Sequence, residues 1–227
     1  MRFLGSCSFV LLLLAPALVS ADVYKVEPIK DAPPAGVAPE IASGLNGQGY
    51  RVTDDQGKPF AEIWLRKAIP AKAKPAGANG AIQFPFLAEG ELLGVLHLVG
   101  EAHDYRDQTI DKGVYTMRYG LQPVNGDHLG VSPFRDYTLL LPAAKDKAVA
   151  SLPRKQLEAQ SSEAAGTSHP AVFFMLSAPA NAPASMIHDE AKNTWRVALP
   201  LSLTAPGESQ PIPHPVSFIL SGVSEGA

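Results

Sequence analysis

The chain has 227 residues and a formal net charge of −3, from 19 Lys plus Arg against 22 Asp plus Glu. That balance lacks the basic footprint of a surface for nucleic acid or anionic membrane, so neither partner is expected. Its 21 prolines and 19 glycines point to short elements joined by many turns, which favours β over α structure.

Residues 1–21 carry Arg2, an apolar run from Phe9 to Leu18, and then Val19, Ser20 and Ala21, compact residues of the kind a signal peptidase reads. The pattern predicts cleavage after Ala21 and export to the periplasm or the extracellular space. The apolar run is shorter than the roughly 20 residues that span a bilayer, and no later segment qualifies, so no membrane span is expected after signal cleavage. Loss of Arg2 would take the charge from −3 to −4. Cys7 is the only cysteine and leaves with the signal, so the exported chain has to rely on its own core rather than on disulfides. Roughly 200 residues suffice for one such domain.

Residues 22–49 are rich in Pro and Gly and poor in periodicity, which predicts an extended N-terminal arm ahead of a single domain over 50–227. Strands are expected at Tyr50–Thr53 and from Phe60 onward, where Ala61, Ile63 and Leu65 alternate with Glu62, Trp64 and Arg66. Phe84–Leu87 and Leu92–Val99 read as further strands, and His97, alone between Leu96 and Leu98, reads as structural. In the charged loop that follows, Glu101, His103, Asp104 and Asp107 lack the ligand spacing of a zinc or calcium site, so no metal is expected there.

The stretch from Asp111 to Ala143 reads as two strands joined by a polar loop. Tyr115, Met117 and Tyr119 share one face of the first strand, and Tyr137, Leu139 and Leu141 share one face of the second. The loop between them holds Asn125, Gly126, Asp127 and His128, and Arg135 with Asp136 opens the second strand, where the two would form a local ion pair. Beyond Pro142, good helix formers from Lys155 to Ala165 precede Gly166, which is placed to end a helix. A hairpin is expected between Ser185–His188 and Thr194–Leu203, with Pro200 marking an edge or bulge, and Val216–Leu220 forms the last strand. The fold class is therefore an all-β sandwich, immunoglobulin-like or jelly-roll-like, of roughly eight to ten strands, with one short helix between Pro153 and Ala165.

Asp111, Gly113, Tyr115 and Met117 stand in an Asp-x-Gly-x-Tyr-x-(apolar) pattern that resembles the tyrosine corner of immunoglobulin-like sandwiches, with Met117 where a cysteine would stand. The run from Tyr115 to Gly130, then Arg135-Asp136 with Leu139 to Ala143, and Gly166 to Val172, resemble a group of uncharacterised bacterial proteins predicted to be exported. That resemblance implies an exported β-rich domain and supplies no chemistry.

No nucleophile elbow, metalloprotease helix or phosphate-cradling glycine loop is present. The expected function is a non-catalytic binding or structural module of the bacterial envelope or extracellular space, without a cofactor or metal, presenting loops to a glycan, peptide or envelope partner. Its binding candidates are Arg118, Asp127, His128, Arg135 and Asp136. The alternative is a hydrolase in which Asp127, His128 and His169 act as acid and base, with Arg118 or Arg135 holding an anionic or carbonyl group.

Overall fold

The computed structural model describes residues 24–54, 56–124 and 132–222. The segment expected as a signal peptide, and the candidates Asp127 and His128, lie outside them.

Over the described residues the chain is all-β, with two helices. It begins with β1 (Lys25–Ile29), α1 (Pro39–Gly44), β2 (Gly49–Thr53), β3 (Pro59–Leu65), the short β4 (Ile69–Pro70) and β5 (Leu92–Leu98). There follow the two-residue β6 (Ala102–His103) and β7 (Thr109–Ile110), the long β8 (Gly113–Leu121), β9 (Asp136–Pro142) and α2 (Arg154–Ala165). The rest comprises β10 (Val172–Ser177), β11 (Ser185–Asp189), β12 (Thr194–Leu199), β13 (Ser202–Thr204), β14 (Ile212–Pro213) and β15 (Val216–Ser221).

Ten strands form one antiparallel sheet in the order β1-β2-β3-β5-β8-β9-β10-β15-β12-β11. The expected sandwich takes the form of this single sheet rolled round its own core. Inward-facing Val52, Ile63, Leu96, Met117, Leu140, Phe173, Val197 and Phe218 come from strands along the whole sheet and share one buried cluster. The two edges approach each other, and Tyr24, just before β1, packs on Trp195 of β12 with ring centroids 5.5 Å apart. Trp195 is stacked in turn on its cross-strand partner His188, at 4.3 Å and 7°.

The tyrosine corner is present, for the Tyr115 hydroxyl donates to the Asp111 carbonyl at 2.7 Å while its ring stays buried. The hairpin forms as expected, with Met186 opposite Val197 and His188 opposite Trp195. Pro200 ends β12 instead of bending it, and the chain resumes in β13. The α2 helix ends at Gly166 in the left-handed conformation, φ 62° and ψ 20°, which glycine adopts without steric cost.

Two elements differ from expectation. The 22–49 segment does not run as an extended arm throughout, because β1 pairs along β2 and α1 adds a second helix. Pro39 at the start of α1 presets the helical backbone angle, and Ile41 and Leu45 are buried with Trp64 and Val95 on the outside of the sheet. Six residues are too few to show a helical period in the sequence. Phe84–Leu87 is a buried turn rather than a strand. Trp64 falls on the outward face that its alternation with Ala61, Ile63 and Leu65 implies, buried under the first segment, and its indole donates to the Asp31 carbonyl at 2.9 Å.

Candidate functional site

Two apolar patches remain on the outside of the sheet and need cover. The α1 segment covers one, and α2 with the 104–108 loop covers the other, where Tyr137, Leu139, Leu141, Val172, Phe174 and Ile219 cluster with Tyr105 and Leu157. The second cover is incomplete. It leaves two clefts, each of about 230 Å3, on either side of an aromatic wall. Phe174 faces the first cleft and Tyr105 the second, and the two rings meet edge to face at 4.9 Å.

The first cleft has a floor of Tyr137, Val172 and Phe174 and a polar rim that includes Arg106, Gln122 and His169, with Glu158 and Ser162 contributed by α2. Burial pushes the Tyr137 phenol up to about 12, so it is a neutral hydroxyl at physiological pH. Glu158 is engaged by Arg154, whose Nε donates to it at 2.8 Å. The guanidinium of Arg106 has no hydrogen bond or ion pair among the described residues. The second cleft is lined by Phe134, Leu176 and Ile219 together with Lys192 and Arg196.

The residues singled out in the sequence separate in space. Arg118 is fully buried. Its Nε donates to Asp146 at 2.6 Å and its Nη2 at 2.9 Å, and the remaining donors reach the carbonyls of Gly90, Ala148 and Ala150. All of its hydrogen-bonding capacity is taken by the protein, and it lines no cleft. Thr116 also donates to Asp146, so that carboxylate is the anchor of the whole cluster. Gly90 is held here by φ +85°, and a Cβ on it would lie 2.1 Å from the Leu152 carbonyl oxygen. Only glycine lets the 150s segment close over Arg118.

Asp136 is fully buried too, and the expected pair with Arg135 is not formed. The Asp136 carboxylate instead accepts the backbone N–H groups of Gln83 and Phe84, at 2.7 and 3.0 Å, and the Tyr119 hydroxyl at 2.6 Å. It thus ties the 81–87 turn to the sheet, while burial first and then the Asp136 contact raise the Tyr119 phenol far above its ordinary range. Arg135 donates from Nε to the Gln122 carbonyl at 2.7 Å, and pins the base of the loop. A local ion pair loses here because three aligned donors converge on the acid from other parts of the chain. Only His169 among the described candidates lines a cleft, the first one.

The acidic loop is also architectural. Asp104 is buried and accepts the N–H groups of Arg106 and Gln108 and the Gln108 side chain, while His103 and Asp107 pair at 3.2 Å. His97 bonds Glu62 at 2.9 Å across β3 and β5, and Arg51 donates to the same carboxylate at 2.8 Å. Burial alone would raise Glu62, but these two partners outweigh it and hold the acid below its ordinary range. Among the described residues no group of three or more His, Cys, Asp or Glu could hold a metal ion, and no helix is long and apolar enough to cross a membrane.

Asp146, Arg106 and Arg196 escaped the sequence reading. Each sits in a stretch without periodicity or motif, or on a strand position that alternation marks only as outward-facing, and their roles depend on partners far away in the chain. Fold and site together define a rolled, all-β protein with two open clefts on one outer face. Comparison with known proteins gives no match to a family model, a curated protein or a solved structure.

Proposed function

We propose that the protein is an exported, non-catalytic binding module of the bacterial envelope or extracellular space, and that its first cleft takes the C-terminus of a peptide. One observation carries this reading. An apolar floor of Tyr137, Val172 and Phe174 lies beside an arginine, Arg106, whose guanidinium has no partner among the described residues. A terminal carboxylate matches a free guanidinium in charge and in its paired acceptors, and an apolar last side chain suits the floor. The Tyr137 hydroxyl and His169 at the rim supply further polar contacts. Export rests on the residue 1–21 pattern and on the resemblance of the 115–143 and 166–172 motifs to proteins predicted to be exported.

The test is a titration of isotope-labelled protein with the tripeptide Gly-Gly-Phe, its C-terminal amide, and N-acetylglucosamine. The free peptide should shift the amides of His169, Val172 and Phe174, and the amide form should bind roughly tenfold more weakly, as expected for loss of a charge-assisted hydrogen bond. Arg106→Gln should remove that preference. Stronger response to the sugar, or hydrolysis of the peptide, would overturn the proposal.

A further inference from the structure

The second cleft holds an unusual donor. Seven arginines lie in the described residues, and Arg51, Arg66, Arg118, Arg135 and Arg154 all have acceptors in the protein. Among the described residues Arg196, like Arg106, has none, and its Nε is buried without a hydrogen-bond partner there. A buried charged donor left without an acceptor is costly, and folded proteins rarely leave one so unless something else supplies the acceptor.

The surroundings say what that acceptor is. Arg196 stands on the outer face of β12, opposite Ile219 of β15 and Ile187 of β11, beside a bulge in the strand. Lys192, on the turn between β11 and β12, lines the same cleft. The third charged group there is Asp189, which accepts the backbone N–H of Lys192 at 3.3 Å and so belongs to the turn. Among the described residues, two cations and one carboxylate leave a single positive charge. A monoanion balances it, whereas a phosphate dianion would face Asp189 with a charge uncompensated. The remaining walls are apolar, from Phe134, Leu176 and Ile219, and the space of about 230 Å3 equals the liquid volume of roughly seven or eight waters.

We infer that the second cleft is a binding site for a small monoanionic organic acid, its carboxylate held by Arg196 and Lys192 and its apolar body laid against Phe134, Leu176 and Ile219. The two Nη groups of the Arg196 guanidinium, which have no acceptor among the described residues, present paired donors that a carboxylate accepts together, beside the buried Nε. Nothing in this step depends on the peptide reading of the first cleft, because the two sites use different arginines on opposite sides of the Tyr105–Phe174 wall.

The experiment is a titration of the full exported chain with benzoate, following the Arg196 Nε–H resonance, with inorganic phosphate as a parallel arm. Benzoate should move that resonance saturably. Arg196→Gln should weaken binding at least tenfold, Arg196→Lys should weaken it less, and Lys192→Gln should weaken it a few-fold, in line with loss of charge-assisted hydrogen bonds. The resonance is read on the unsubstituted protein, so the result stands even where a variant folds poorly. No saturable shift up to about 10 mM benzoate, an affinity beyond which specific recognition has little meaning, would overturn the inference. Phosphate binding as tightly as benzoate would also overturn it. Shifts confined to His169 and Phe174 would refute this site while leaving the first cleft's reading intact.

Discussion

Arg118 and Arg196 stand on outward-facing positions of the same sheet, and the chain treats them oppositely. Over Arg118 the 143–152 segment closes, supplying Asp146 and two carbonyls, and the side chain becomes wholly internal. Over Arg196 no described segment closes, and its buried Nε has no acceptor among the described residues beside the cleft that the side chain lines. The difference teaches how to separate an architectural arginine from a recognising one. Charge and strand position are alike, and only the count of satisfied donors differs.

The largest effect that can test this contrast is on stability. Asp146→Asn should destabilise the fold by about 3–5 kcal/mol in urea unfolding, because it leaves the Arg118 charge buried and unpaired. Asp136→Asn comes next, at about 1–3 kcal/mol, since an amide oxygen can no longer serve the N–H groups of Gln83 and Phe84 and the Tyr119 hydroxyl together. Alkaline titration gives a third, smaller test. The unfolded chain releases phenolic protons near pH 10, while the folded chain keeps those of Tyr137 to about 12 and of Tyr119 beyond. Protons held only in the folded state are lost on unfolding, so stability should fall as pH rises above 10, with phenolate absorbance at these two sites appearing only on unfolding. The smallest effects belong to the clefts. Arg106→Gln should change thermal stability by less than about 0.5 kcal/mol, and Arg196→Gln should leave it equal or higher, because neither guanidinium bonds a described residue and the second substitution also removes an unsatisfied buried donor. A loss comparable with Asp146→Asn would break the contrast.

Much of the architecture was legible because it is local. The period-two runs of β3 and β8 state which residues face inward, Gly166 marks the end of α2, and the Asp111–Tyr115 pattern states a corner whose hydrogen bond spans four residues. The rolling of the sheet was not legible, since it depends on edges that meet through Tyr24 and Trp195, 171 residues apart in numbering. Helix α1 was hidden by its length and by the prolines before it.

The site was legible in one respect and misleading in another. The ends of the polar loop between β8 and β9 adjoin both clefts, for Gln122 and Pro123 border the first and Ser132 to Phe134 border the second. Yet Arg118 and Asp136 drew attention as charges on strands and are structural, because alternation shows which way a side chain points and not what later covers it. Arg106 and Arg196 carry no local signal at all. The roles proposed for them rest on the absence of partners among the described residues, which only the folded arrangement of those residues reveals.

The central claim reduces to one spectrum. In a benzoate titration that resolves the arginine Nε–H signals, the Arg196 signal should shift saturably while that of Arg118 stays fixed. A shift at Arg118, or none at Arg196, would contradict the division between the arginine that builds the fold and the one that faces a ligand.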